Sequence, residues 1–334
     1  MSQDSTSSRK ADHIDLAFLS QVSLTDSRFI YEPVLSAHPS SMPEPVSFLD
    51  KEMNAPIWVS SMTGGTLHAK NININLAKAC GKYKLGMGLG SCRILLKDDT
   101  FLEDFKVRKY CGDEVSLFAN LGIAQVEEIL GTGRIDIIRD LITKTETNGL
   151  IVHINPIQEW MQPEGDKIRH SPLETISELL NRFDIQIIVK EVGQGMGPKS
   201  LESLMKLPLA AIDFGAHGGT NFAMLEMLRS DELRKEIYEP VANLGHSAIE
   251  MVRFVNQILS DSSNYPCQNF ILSGGVKSFI DGYFLIQSIN AKAIYGQASA
   301  FLKYAKEDFD TLCEYIELQL KGLAMAKAYL SIQK

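Results

Sequence analysis

The sequence has no C-x-x-C pair, no long apolar run, no excess of basic charge and no low-complexity tract. Each absence removes a class of protein. The five cysteines (Cys80, Cys92, Cys111, Cys267, Cys313) are odd in number and scattered, which reads as reduced thiols and not a disulfide framework. No apolar stretch approaches the roughly 18 residues that span a bilayer, and Met1 to Asp15 lack the apolar core of a signal peptide. A cytoplasmic chain with no membrane partner is therefore expected. The formal charge of −8 and pI near 5.5 argue against a nucleic-acid partner, which normally needs a basic face. An acidic protein that handles an anion must gather its cations locally or recruit a metal.

What is present is a soluble globular composition, 45% hydrophobic and 22% charged over 334 residues. From about Ala55, short apolar runs alternate with amphipathic stretches. The runs are 55–62 (APIWVSSM), 85–91 (LGMGLGS), 115–122 (VSLFANLG), 149–156 (GLIVHINP), 185–192 (IQIIVKEV), 209–215 (LAAIDFG), 269–276 (NFILSGGV) and 291–297 (AKAIYGQ). Helices are expected near 68–84, 102–110, 135–147, 173–183, 199–207, 247–260, 278–289 and 308–330. Several runs are continuously apolar, as in a parallel sheet buried on both faces. Eight strands and eight helices in alternation predict an α/β fold, a (β/α)8 TIM barrel over 55–334, with a loop-rich N-terminal extension over 1–54.

In such a barrel the chemistry collects where strands end. Here the ends deliver Ser60 to Gly65, Gly90 to Arg93, Asn120, His153 with Asn155, Lys190, Gly218 to Thr220, Ser273 to Gly275, and Gly296 to Ala298. Glycine turns after the last two strands let backbone N–H groups approach a phosphate. A plain tight turn is the competing reading of Gly274-Gly275. Lys190 lies inside an apolar run, where a lone ammonium is costly. It meets either a neighbouring carboxylate or an anionic cofactor ring such as a reduced flavin, which it would hold as the anion.

His153 and Asn155 are two apart, so both side chains point the same way, and Gln158 and Glu159 follow. Glu159 with Asn155 suits Mg2+, a hard cation that takes oxygen ligands and shares them with phosphates. Arg9-Lys10 alone reads as a solvated tail. Cys92 beside Arg93 reads as a plain buried thiol.

Taken together, these motifs resemble type 2 isopentenyl-diphosphate isomerase, the FMN-dependent family. The likeness rests on R-K-x-x-H-I (Arg9 to Ile14), S-S-M-T-G-G (Ser60 to Gly65), G-S-x-R (Gly90 to Arg93) and H-x-N-x-x-Q-E-x-x-Q-P-E-G-D (His153 to Asp166). It continues through V-K-E-V-G-x-G (Val189 to Gly195), G-x-x-G-G-T (Gly215 and His217 to Thr220) and S-G-G-V (Ser273 to Val276). The resemblance implies an isomerase converting isopentenyl diphosphate to dimethylallyl diphosphate with FMN, Mg2+ and NADPH as reductant, in a homo-oligomer, tetramer or octamer. It implies FMN contacts at Met62, Thr63, Gly64, Ser91, Asn120, Lys190, Thr220, Gly274, Gly275, Gln297 and Ala298. The diphosphate substrate would meet Arg9, Lys10, Ser91, Arg93, His153, Asn155 and Gln158, Glu159 would bind Mg2+, and Gln158, Lys190 and His153 would be catalytic.

Departures from the family's pattern are Cys92 where Gln is common, Trp160 where an aliphatic is usual, and Asn221-Phe222 where Trp is frequent. The competing classes are another FMN barrel, an oxidoreductase, and a non-catalytic flavin-binding barrel. A 2-hydroxy-acid oxidase would want a His–Arg pair after the seventh strand, where this chain has Ser273 to Lys277.

Overall fold

Residues 10, 12–39, 42–61, 63–66 and 69–333 are described by a computed structural model. Eight strands close a parallel barrel in chain order: β4 (Ile57–Val59), β5 (Gly86–Gly88), β6 (Leu117–Gly122), β7 (Gly149–Ile154), β8 (Gln186–Glu191), β9 (Ala211–Asp213), β10 (Asn269–Ser273) and β11 (Lys292–Gln297). Tyr295 pairs with Ile57 to seal the ring. All eight expected strands are there, each buried on both faces by the surrounding helices.

Outside the barrel, β1 (Phe29–Tyr31) pairs with β12 (Leu330–Ile332), and β2 (Val46–Phe48) pairs with β3 (Lys51–Met53). The β2–β3 turn has just Leu49 and Asp50, both at positive φ (49° and 59°), as a type I′ hairpin requires. Its side chains Phe48, Leu49 and Met53 join Trp58, Phe118, Ile151, Ile188, Ala211, Ile271 and Ile294 in one buried cluster. Those barrel residues sit early in their strands. The hairpin therefore plugs the N-terminal mouth with apolar side chains and leaves the other mouth for polar ones.

The outer helices follow the expected pattern with local differences. The helix Ala248–Asp261 buries Ala248, Met251, Val252, Val255 and Ile258 at three- and four-residue spacing, and Ser247 and Glu250 cap its start reciprocally. The expected helix near 102–110 is instead two turns, Leu102–Phe105 and Arg108–Cys111. The break frees Arg108 to donate to the carbonyls of Glu146, Gly112 and Val115, each at 2.8 Å. The helix Ile123–Gly131 was not anticipated: it starts directly at the end of β6, and its apolar residues read as a continuation of that strand. Helices Phe222–Arg229, Glu232–Tyr238 and Ser299–Ala305 also come in addition to the eight expected. No helix among the described residues is long and apolar enough to cross a membrane.

Candidate active site

Two residues beyond the apolar plug, alternation turns the next layer of side chains into the lumen: Ser60, Asn120, His153, Lys190, Asp213 and Ser273, with Gly88 and Gly296 between them. The glycines let the strand ends pack closely: a Cβ on Gly296 would lie 2.8 Å from Ser60 Oγ, and one on Gly88 2.6 Å from Ser61 Oγ. Above Gly296 is a cavity of about 720 Å³, bordered by Lys190, Thr220, Gly274, Gly275, Gln297 and Ala298 together with Ser60 and Ser61. That volume suits a small organic ligand.

The cradle at one end of the cavity is backbone. Gly218, Gly274 and Gly275 have φ of 117°, 92° and 73°, and a Cβ on Gly219 would lie 3.1 Å from the Gly275 nitrogen. Two glycine turns thus face each other at van der Waals distance, which only residues without side chains permit. Ala298 precedes the helix Ser299–Ala305 without a side-chain cap. Gln297 borders the cavity, but its side chain is spent elsewhere: Nε2 donates to the Val276 carbonyl and Oε1 accepts from the Tyr315 hydroxyl.

Polar groups of the lumen are tightly wired. Asn120 Nδ2 donates to the Leu89 carbonyl at 3.1 Å, so its Oδ1 is the acceptor that faces His153 Nδ1 at 2.8 Å. His153 therefore carries its proton on Nδ1 and keeps a free lone pair on Nε2. Burial first, then the nearby Lys190 ammonium, push the imidazole down to about 3, so it is neutral at working pH. Lys190 Nζ donates to the Glu191 carbonyl at 2.7 Å. The Glu191 carboxylate faces the other way and accepts the N–H groups of Gly193, Gln194 and Gly195 at 2.6–3.0 Å, which fixes the loop after β8. Burial raises both the Glu191 and Asp213 carboxyls, against the pull of Lys190.

On the β4–β5 side, Asn73 donates to the carbonyls of Thr63 (3.1 Å) and Asp104 (2.8 Å). A Cβ on Gly90 would meet Thr63 oxygen at 2.4 Å, and one on Gly64 would strike the Phe105 ring at 2.1 Å. The strand-end loops are thus locked by backbone contact. Ser91 is exposed beside them, and Cys92 is buried with its thiol pushed up to about 12, a plain core residue as expected. Met62 and Arg9 lie outside the described residues. Lys10 is helical and exposed, without a hydrogen bond or ion pair among the described residues.

Gln158, Glu159 and Arg93 do not border the cavity but form a second, connected cluster. Asn155 Nδ2 bridges Gln158 Oε1 (3.1 Å) and Glu159 Oε1 (2.9 Å), and Glu159 Oε2 accepts the Asp166 N–H at 2.7 Å. Asp166 pairs with Arg93 at 2.7 Å and accepts from Gln125 at 2.6 Å. Gln158 Nε2 donates to Glu226 Oε1 at 3.1 Å, and Arg229 holds the other Glu226 oxygen at 2.8 Å. Asn155 Oδ1 is buried without a partner, beside the Glu159 carboxylate. Among the described residues no group of three or more His, Cys, Asp or Glu could hold a metal. A cation here has one carboxylate and one orphaned amide oxygen, the partial set that Mg2+ completes with water and substrate phosphates.

Asp213, Glu226 and Glu191 belong to this site and were not singled out from the sequence. Asp213 and Lys190 share one signal, a charge inside an apolar run. Glu226 lies on a helix that the strand–helix alternation did not reveal.

These features define a (β/α)8-barrel enzyme with its polar site at the C-terminal mouth. The isopentenyl-diphosphate delta-isomerases of Rickettsia felis and Rickettsia bellii are 34% and 33% identical to the chain over 322 residues, 94% of this chain and 90–91% of theirs. The chain belongs to the isopentenyl-diphosphate delta-isomerase family. No family model matches it. Among solved structures, a flavocytochrome b2 variant with benzoylformate aligns at TM-score 0.62 and 12% identity over 91% of this chain and 75% of that one. A mandelate oxidase variant with an FMN adduct aligns at TM-score 0.56 and 11% identity over 97% and 98%. At such identities the likeness shows a shared barrel.

Proposed function

We propose that the chain interconverts isopentenyl diphosphate and dimethylallyl diphosphate, with FMN in the barrel mouth and Mg2+ at Glu159. The observation that carries this reading is Lys190, an ammonium in a lumen layer whose imidazole is neutral, beside a glycine-walled cavity in a chain of isomerase kinship. The orphaned hydroxyls of Ser60 and Ser61 and the backbone cradle suit a polar ring with a phosphate tail. Bound there and pre-reduced by NADPH, FMN would supply an electron-rich ring able to stabilise cationic character at the alkene with no net redox change.

The chain's own residues do the rest. Lys190 keeps its ligand anionic. Met62, Thr63, Gly64, Ser91, Asn120, Thr220, Gln297 and Ala298 hold the cofactor with the glycine turns. Arg9, Lys10 and Arg93 take the diphosphate, and Glu159 with Asn155 brings the cation to it. His153 Nε2 is a neutral acceptor. Gln158, oriented by Asn155 and Glu226, aligns the alkene and passes its proton. The extension 1–54 contributes substrate contacts, and the working form is a cytoplasmic homo-oligomer.

The test is incubation with isopentenyl diphosphate, FMN, NADPH and Mg2+, with dimethylallyl diphosphate as readout. Product should form only when the flavin is reduced. Equal turnover with flavin oxidised or absent overturns the reading.

A further inference from the structure

One buried carboxyl at the mouth has no part in the chemistry above. Asp213 is fully buried at the end of β9, and its register partner on β8 is Lys190. Ala211 and Ile188 sit in the apolar plug, so alternation turns Asp213 and Lys190 into the lumen one layer higher. Neighbouring strands lie about 4.8 Å apart, so the two side chains leave the barrel wall at one level, without a direct ion pair among the described residues but close enough for Lys190 to pull on the carboxyl. From β10 the Ser273 hydroxyl donates to Asp213 Oδ1 and accepts the Gly215 N–H at 2.9 Å. Asp213 Oδ2 is buried and has no partner. Lys190 spends one of its three donors on the Glu191 carbonyl. Asp213 thus keeps acceptor capacity that no hydrogen bond of the fold uses.

We propose that Asp213 is a positioning residue for Lys190: a counter-charge, clamped by Ser273, that holds the ammonium in the lumen and moderates the field it imposes on a bound ligand. The inference rests on reading Lys190 as the cation beside the ligand's ring. The other groups facing the pair leave Asp213 as the decisive charge. His153 on β7 is neutral, Ser60 and Ser273 are uncharged, and the Glu191 carboxylate points out of the lumen onto three amides.

Two titrations test it. In the flavin-free full chain carrying 13C-labelled lysine, Asp213→Asn should lower the Lys190 midpoint by about 1 pH unit, the size expected on losing an adjacent opposite charge. Asparagine keeps an acceptor for Ser273, and a thermal melt checks that the fold persists. Should it not, the smaller Asp213→Ser must move Lys190 in the same direction. In the flavin-loaded chain, the neutral-to-anionic midpoint of the reduced ring, read by absorbance, should rise in Lys190→Met and fall in Asp213→Asn, each by about 1 unit. An unmoved Lys190 titration overturns the proposal, as does a same-direction shift in the two loaded variants. If Lys190 responds to Asp213→Asn while the chain takes up no flavin, the pairing stands and the flavin reading fails.

Discussion

Adding one methyl group at either of two adjacent glycines should separate what the β10 turn does for folding from what it does for binding. At Gly274 (φ 92°) a Cβ would sit 2.0 Å from the Ala216 oxygen and 2.4 Å from its nitrogen. Both are rigid backbone, and the same residue bonds across to Ser273, so the strands must part by about 1 Å. Overpacking of this kind costs about 1–3 kcal/mol and the strained φ a further 1–3 kcal/mol, so Gly274→Ala should lose roughly 2–6 kcal/mol. That is a large part of a typical domain's stability. At Gly275 (φ 73°) the added carbon would meet only Gly218 and the His217 oxygen, all at 3.4 Å, an ordinary contact. Its left-handed penalty of about 1–2 kcal/mol is partly offset by a less flexible unfolded chain, leaving about 1 kcal/mol or less. The methyl group nevertheless projects beside the cradle where a phosphate must approach. Urea unfolding should therefore show a severe loss for Gly274→Ala and almost none for Gly275→Ala. Flavin fluorescence quenching should show FMN affinity falling about tenfold or more in the latter, as for one lost charge-assisted hydrogen bond. Wild-type stability in Gly274→Ala, or undiminished FMN binding in Gly275→Ala, refutes this account of the turn.

Removal of the Gln158 amide in Gln158→Ala should lower turnover roughly 100-fold, as for a proton-transfer group, and a loss of only a few-fold assigns it to structure. Glu159→Gln removes the charge and turns one of the two oxygens that accept from Asn155 and Asp166 into a donor, so half-maximal activity should require more Mg2+; an unchanged metal titration removes it as a ligand. His153 titrates near 3 in the folded chain and near 6.5 unfolded, so the unfolded state takes up a proton first as pH falls. Its contribution is intact above pH 6.5 and erodes toward pH 3. Between pH 6.5 and 4.5 wild type should lose about 2 kcal/mol more than His153→Asn in urea unfolding, and parallel pH profiles contradict the neutral assignment.

Barrel strands were legible because a strand buried on both faces leaves a continuous apolar run, and eight such runs allow few topologies. Lys190 and His153 stood out as polar residues within those runs. Asp213 did not, although the same alternation places it inside an apolar run, because Gly215 two residues on gives that short run the look of a turn. The helix Phe222–Arg229 shares the crossover from β9 to β10 with the longer helix Ala248–Asp261, so counting one helix per strand passed over it, and with it went Glu226. The hairpin over 46–53 was hidden because its two positive-φ turn positions hold Leu49 and Asp50, not glycine. What stayed illegible was pairing: no spacing in the sequence says that Arg93 meets Asp166 or that Gln158 meets Glu226.

Those pairings bear on how an acidic chain receives an anion. Arg93 is neutralised by Asp166, and Arg229 by Glu226 and Glu164. On the proposed assignment of Arg93 to the diphosphate, that anion must exchange with Asp166, whose backbone N–H is itself tied to Glu159. On the same proposal, cation and substrate meet at one residue: the Asp166 carboxylate holds Arg93 while its backbone N–H occupies Glu159 Oε2, the oxygen proposed for the metal. The cradle end differs, since Lys277 and Lys303 border the cavity without an ion pair among the described residues. An anion adds charge there without displacing any. On the proposed assignments, the cradle end offers uncommitted cations to a ligand that stays, and the Arg93 end offers a cation already paired, which suits a ligand that has to leave.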